Sequence, residues 1–187
     1  PFHGAGNIPV RRILDMTCVK NVYVVKEKEM PYGDFPTLKS PNPEENEGFK
    51  LAIELAKKVD ADVIIATDPD SDRVGVTVKD KKGNYITLTG NQTGILLCEF
   101  ILRNRKLKGT LPKNGAVIKT IVTTDMIYPI ADDYKTTVFD VLTGFKFIGE
   151  KIKEFEKTGS NEYIFGFEES YGYLAGTYAR DKDAVVA

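Results

Sequence analysis

The stretch Ala66-Thr-Asp-Pro-Asp-Ser-Asp-Arg-Val-Gly-Val76 decides the fold. The apolar run Val63-Ile-Ile-Ala66 that leads into it reads as a buried strand. The run stops at a tight acidic loop with Asp68, Asp70 and Asp72 at alternate positions and Arg73 directly after them. Val74-Gly-Val-Thr-Val78 then leads away as a second strand. Three carboxylates this close repel one another unless a cation sits among them, and hard oxygen ligands suit Mg²⁺ or Ca²⁺. The loop falls at the C-terminal end of a strand, where open α/β sheets place their ligands.

Three chemistries compete for this loop. Asp, Pro and Ser are turn residues, so a solvated acidic turn is one. An EF-hand beginning at Asp68 is another, but it needs Gly at its sixth position and Glu at its twelfth. Arg73 and Lys79 stand there instead, which excludes it. The third is a catalytic metal site in which Arg73 offsets one negative charge and presents a fork to a phosphate. A cation and an arginine at one strand end suit phosphoryl transfer.

Outward from the loop, alternating strands and helices predict an α/β fold: two α/β/α layered domains, each a mixed sheet flanked by helices. Toward the N-terminus, residues 3–6 (His-Gly-Ala-Gly) form a plain turn before a helix over residues 8–16, with Pro9 in its first turn. His3, the only histidine, is taken as structural or solvated. Residues 21–25 predict a strand. Residues 26–45, with Pro31, Pro36, Pro41 and Pro43, predict a long irregular loop whose residues 40–43 are candidates to face a cleft. Phe49, Ala52, Ile53 and Ala56 mark the buried stripe of a helix ending near Val59.

Toward the C-terminus, a strand over residues 85–88 and a helix over residues 92–105 precede a linker over residues 107–115. The expected domains are therefore 1–110 and 111–187. The second restarts the alternation with strands at 116–122, 136–142 and 163–167 and helices at 125–133 and 146–157. Two of its loops carry chemistry. Thr143-Gly-Phe-Lys146 puts Lys146 in the first turn of a helix, where the dipole disfavours a cation unless an anion is bound. Gly166-Phe-Glu-Glu-Ser-Tyr-Gly-Tyr173 offers carboxylates and a hydroxyl to hydroxyl-rich ligands. A solvated lysine and a surface acidic turn are the alternatives for these two loops.

Composition sets the remaining limits. Net charge of −1 gives no field for nucleic acid or a membrane surface. No apolar run approaches the ~18 residues of a membrane span. Cys18 and Cys98 are too few for a disulfide framework and are expected as core thiols of a cytoplasmic protein. The opening Pro1-Phe-His-Gly4 and the closing residues 183–187, which resemble the first turn of a helix, are expected to be the ends of a fragment.

Together the three loops resemble the α-D-phosphohexomutase family, which includes phosphoglucomutases and phosphomannomutases, and the resemblance covers essentially the whole chain. Asp68-Pro-Asp-Ser-Asp-Arg73 resembles the family's metal loop. Thr143-Gly-Phe-Lys146 is similar to a substrate-contacting segment of phosphoglucomutases. Gly166-Phe-Glu-Glu-Ser170 resembles the sugar-recognition loop. The resemblance implies domains II and III of a four-domain enzyme that interconverts hexose 1-phosphate and hexose 6-phosphate through a phosphoserine and a bisphosphate intermediate. It implies Asp68, Asp70 and Asp72 as Mg²⁺ ligands, and Arg73 steadying the transferring phosphoryl group. Lys146 would be a substrate contact and candidate acid/base, with Glu168 and Ser170 on sugar hydroxyls. A sugar bisphosphate would be the activator. The serine loop of the first domain and the phosphate loop of the fourth are absent, so the fragment is expected to bind metal without catalysing mutation. Tyr173 stands near where many members have histidine, which leaves the acid/base open. The Thr-Gly-Phe-Lys segment favours glucose among glucose, mannose, pentose and amino-sugar phosphates. A haloacid-dehalogenase-type phosphatase, with Asp68 as nucleophile and Asp70 as acid/base, is the rival enzyme, disfavoured by Asp72. A non-catalytic sugar-phosphate or metal-binding module is the other rival.

Overall fold

A computed structural model describes all residues except Pro1, Cys18, Leu38 and Lys39. The chain divides into two compact units. One holds the residues up to Thr89 with Ala184–Val186; the other holds Gly90–Asp183 with Ala187.

The first unit carries α1 (Asn7–Met16), α2 (Lys50–Val59) and an antiparallel sheet of β1 (Val63–Thr67), β2 (Val74–Lys79) and β3 (Tyr85–Thr87), in the order β1-β2-β3. The expected stripe of α2 packs inward. Phe49 and Ala56 join Phe2, Ile64 and Ala66 in the core, with Phe2 and Phe49 edge-to-face at 5.9 Å. Asp60 in the left-handed region stops α2 after Lys57 and Lys58, cations suited to a helix C-terminus. Among the described residues of 26–45, the 3-10 turn Lys26–Lys28 is the one helical element, and the rest of them are irregular, as the prolines require.

Residues 21–25 do not form the expected strand. β-propensity needs a ladder partner, and among the described residues this segment has none: Val22 and Tyr23 are exposed. Between it and β1 lies a cavity of about 590 Å³, lined by apolar side chains that include Val10, Leu14, Val22, Val24 and Ile65. Among the described residues, the one backbone group reaching the outer edge of β1 is the Phe2 N–H, on Thr67 O at 2.9 Å.

The second unit contains α3 (Gly90–Leu107), β4 (Gly115–Thr120), α4 (Ile127–Asp133), β5 (Thr137–Val141), α5 (Phe145–Thr158), β6 (Glu162–Phe167) and β7 (Tyr173–Ala175). Its sheet order is β5-β4-β6-β7. β4 pairs in parallel with both neighbours, and β7 runs antiparallel to β6. This is a mixed sheet, and β4 at its centre is buried throughout. Ile148, Ile152 and Phe155 of α5 pack on Ala116, Ile118 and Tyr163. β7 escaped the sequence because its three residues follow the recognition loop directly.

The units part at Thr89/Gly90, not in the expected linker at residues 107–115. Pro112 and the glycines mark a turn between α3 and β4, but α3 belongs to the second unit. A side chain on Gly94 would lie 2.1 Å from the Phe167 ring, and Cys98 and Leu102 are fully buried. Cys98 is the expected core thiol; Cys18 lies outside the described residues. Residues 184–186 form a turn rather than the start of a helix, with the Ala184 N–H committed to Ser71 O at 3.1 Å.

Candidate metal centre and recognition loops

The acidic loop is built around Asp68, whose side chain is 1% exposed. Its Oδ1 accepts the backbone N–H groups of Asp72 (3.1 Å) and Arg73 (3.0 Å), and its Oδ2 accepts Arg73 Nε at 2.7 Å. The loop closes because Asp68 N donates to Arg73 O and Ser71 N to Asp68 O, each at 3.2 Å, with Ser71 in the left-handed region (φ 59°). The result brings one carboxylate oxygen each of Asp68, Asp70 and Asp72 within 4.8 Å of one another. An all-oxygen donor set of this charge fits a hard divalent cation.

Arg73 is part of the scaffold as well as the charge balance. Nη1 donates to Asn42 Oδ1 at 3.2 Å and lies 3.6 Å from Glu44 Oε1, so the proline-rich loop reaches the site through Asn42. Burial works against the guanidinium's charge. The hydrogen bond to Asp68 and the carboxylates of Asp72 and Glu44 outweigh it and push its pKa up. With Nε and Nη1 engaged, Nη2 is the nitrogen without a hydrogen bond among the described residues.

Residues 3–6, expected as a plain turn, buttress this loop. Ala5 N donates to Pro69 O at 2.8 Å. A side chain on Gly4 would come within 2.3 Å of the Pro69 backbone, and one on Gly6 within 2.3 Å of Ser71 Oγ. His3 is structural: it is 4% exposed and bonded through Nε2 to Thr37 Oγ1 at 2.8 Å. Two glycines one residue apart before a helix were the available signal for this close approach.

In the second unit, Gly144 sits at φ 119° between β5 and α5, a backbone that favours glycine. Its N–H donates to Glu168 Oε1 at 3.1 Å, joining two of the expected loops. Glu168 is 4% exposed, with Lys182 Nζ 4.0 Å from Oε2. Burial pushes its pKa up, against the pull of Lys182 and the Gly144 N–H. Ser170 is half-buried. Lys146 is exposed in the first turn of α5, 4.8 Å over the Phe147 ring.

The partners of two charged residues were not foreseen from the sequence. Glu169 Oε2 accepts Thr120 Oγ1 and Thr123 Oγ1, both at 3.1 Å. Lys119, 1% exposed, reaches Asp140 (2.8 Å), Asp125 (3.1 Å) and Thr123 O (3.1 Å). A lone lysine inside the apolar run Ala116-Val-Ile-Lys-Thr-Ile-Val122 was the signal for the second. Tyr173 is a core residue: it is 0% exposed, and its hydroxyl donates to Gly90 O at 3.1 Å. The structure thus gathers Asp68, Asp70, Asp72 and Arg73 in one unit. It places Lys146, Glu168 and Ser170 in the other.

Residues 1–83 match the family model described as phosphoglucomutase/phosphomannomutase, alpha/beta/alpha domain II, and residues 89–187 match domain III of the same family. A phosphoglucomutase of Staphylococcus haemolyticus is 38% identical over 184 residues, covering 98% of this chain and 32% of that protein. A phosphomannomutase of Mycoplasmoides pirum is 37% identical over 185 residues, covering 99% of this chain and 33% of that protein. Among solved structures, a putative phosphomannomutase from Thermus thermophilus shares the fold. Its TM-score is 0.76 at 21% identity, over 99% of this chain and 38% of that one. The chain therefore spans about a third of the length of these curated relatives. With both domain models matched in order from end to end, it belongs to the phosphoglucomutase/phosphomannomutase family.

Proposed function

We propose that the chain supplies the metal-binding and sugar-recognition parts of an intramolecular phosphotransferase that interconverts hexose 1-phosphate and hexose 6-phosphate, with glucose as the hexose. The observation that carries this reading is the convergence of Asp68, Asp70 and Asp72 beside Arg73 at the end of β1. The three aspartates would hold Mg²⁺. When bound, that ion would neutralise charge on a phosphoryl group and so lower the barrier to its transfer. Asp68 keeps Arg73 Nε, which leaves Nη2 to meet a phosphoryl oxygen. Lys146, at a helix N-terminus, binds an anionic substrate group and is the candidate acid/base. Glu168 and Ser170 accept and donate to sugar hydroxyls, with Glu168 oriented by Gly144 N–H. The phosphoserine that gives and takes back the phosphoryl group belongs to another domain, and a sugar bisphosphate is the activator.

The rival reading, with Asp68 as aspartyl nucleophile, is disfavoured by Asp72, which adds a third carboxylate to the cluster. The test is turnover of glucose 1-phosphate by the full-length protein in Mg²⁺, beside its Asp70→Asn variant and this 187-residue chain alone. Turnover by the full-length protein is expected, with a loss on the order of a hundredfold or more in the variant and none measurable from the isolated chain. Equal turnover by the variant would refute the metal assignment.

A further inference from the structure

We propose that Glu169 is a positioning residue, anchoring the recognition loop over residues 166–173 to the turn that follows β4 so that Glu168 and Ser170 are held ready for ligand. The inference rests on the sugar-phosphate reading above, but its anchor is visible without any ligand. One carboxylate oxygen, Oε2, takes Thr120 Oγ1 and Thr123 Oγ1 at 3.1 Å each, and the two hydroxyls stand 2.7 Å from each other. With two hydroxyl protons for three contacts, one threonine donates to the pure acceptor Oε2 and the other divides its proton between Oε2 and its neighbour's hydroxyl oxygen. The threonines are 0% and 3% exposed and Glu169 is half-buried, so these charge-assisted bonds are partly shielded from water.

The far side of the anchor is itself held by hydrogen bonds and ion pairs. Lys119 Nζ donates to Thr123 O at 3.1 Å and is itself held by Asp140 and Asp125. Burial opposes its charge, but those two carboxylates prevail and push its pKa up, so it remains an ammonium. The loop backbone is seated as well: the Glu169 carbonyl oxygen lies 1.9 Å from where a Cβ on Gly90 would be. Adjacent side chains diverge along the chain. Pinning Glu169 on the Thr120–Thr123 turn therefore directs Glu168 to the Gly144 N–H at 3.1 Å. The two glutamates divide the work: one faces the ligand loop, the other holds the loop in shape.

The experiment compares full-length wild type with Glu169→Ala, Glu169→Gln and Thr123→Val. KM and kcat for glucose 1-phosphate are measured, together with hydrogen exchange over residues 166–173 without ligand. Glu169→Ala is expected to raise KM about tenfold with a smaller change in kcat, and to speed exchange in the loop. Glu169→Gln keeps an oxygen that can accept both hydroxyls and is expected to stay within about threefold of wild type. Thr123→Val is expected to raise KM and to add little in the Glu169→Ala background. Unchanged KM and unchanged exchange in Glu169→Ala would overturn the proposal. So would a Glu169→Gln variant as impaired as Glu169→Ala, because the charge would then act directly on the ligand. Should Glu169→Ala fail to fold, Glu169→Gln and Thr123→Val decide. Should wild type turn over no sugar phosphate, the proposed function fails, while loop exchange in the variants still decides the anchor.

Discussion

At the scale of single residues, what matters is where buried charges find partners. Asp68 receives two backbone N–H groups and one guanidinium N–H, and that is what bends the loop so that Asp70 and Asp72 turn back toward it. Lys28 is the opposite case. It is 4% exposed, with one hydrogen bond to Gly48 O at 2.5 Å and the Phe2 ring at 4.9 Å, and no carboxylate among the described residues pairs with it. Burial lowers its pKa to about 8. Between that value and the ordinary value of 10.5, the unfolded chain keeps the proton that the folded chain has lost, so stability rises with pH through this window. The gain is on the order of 3 kcal/mol. Chemical denaturation from pH 7 to 10.5 should show this rise in wild type relative to Lys28→Met, in which the slope disappears. Parallel profiles for the two proteins would contradict it.

At the scale of elements, the acidic loop depends on a neighbour that carries no chemistry. Gly4 has no side chain because the Pro69 backbone occupies its place, and Pro69 lies between two of the three candidate ligands. Gly4→Ala is expected to cost about 1–3 kcal/mol of stability and to weaken Mn²⁺ binding, read by thermal unfolding and by titration of the metal. Retained Mn²⁺ affinity would show the loop to be self-supporting. The sequence was legible where periodicity and loop chemistry agree: β1, β2, α2, α5 and the acidic loop stand where their residues predict. It misled at residues 21–25, where a Val-Tyr-Val-Val run satisfies strand propensity but has no ladder to join. It misled again at residues 107–115, where Pro112 marks a turn between packed elements rather than a boundary between units. What Glu169 and Lys119 hold was not legible for a different reason. Their partners lie in other elements, on Thr120 and Thr123 for one and on Asp125 and Asp140 for the other.

At the scale of the whole molecule, the two units carry different halves of the proposed chemistry. The first presents hard oxygen ligands and an arginine; the second presents a lysine at a helix start and a glutamate held by a loop amide. Among the described residues, no helix is long and apolar enough to cross a membrane. The chain spans about a third of the length of its curated relatives. The carboxylates proposed to hold the metal all lie within it. The most direct measurement is therefore a crystal of this chain soaked in Mn²⁺, with the metal located by its anomalous scattering. A single strong peak is expected among the carboxylates of Asp68, Asp70 and Asp72, roughly 2.0–2.3 Å from an oxygen of each, and absent from Asp70→Asn. A loop without a peak, or a peak elsewhere with these three carboxylates unchanged, would contradict the metal centre and with it the proposed phosphoryl transfer.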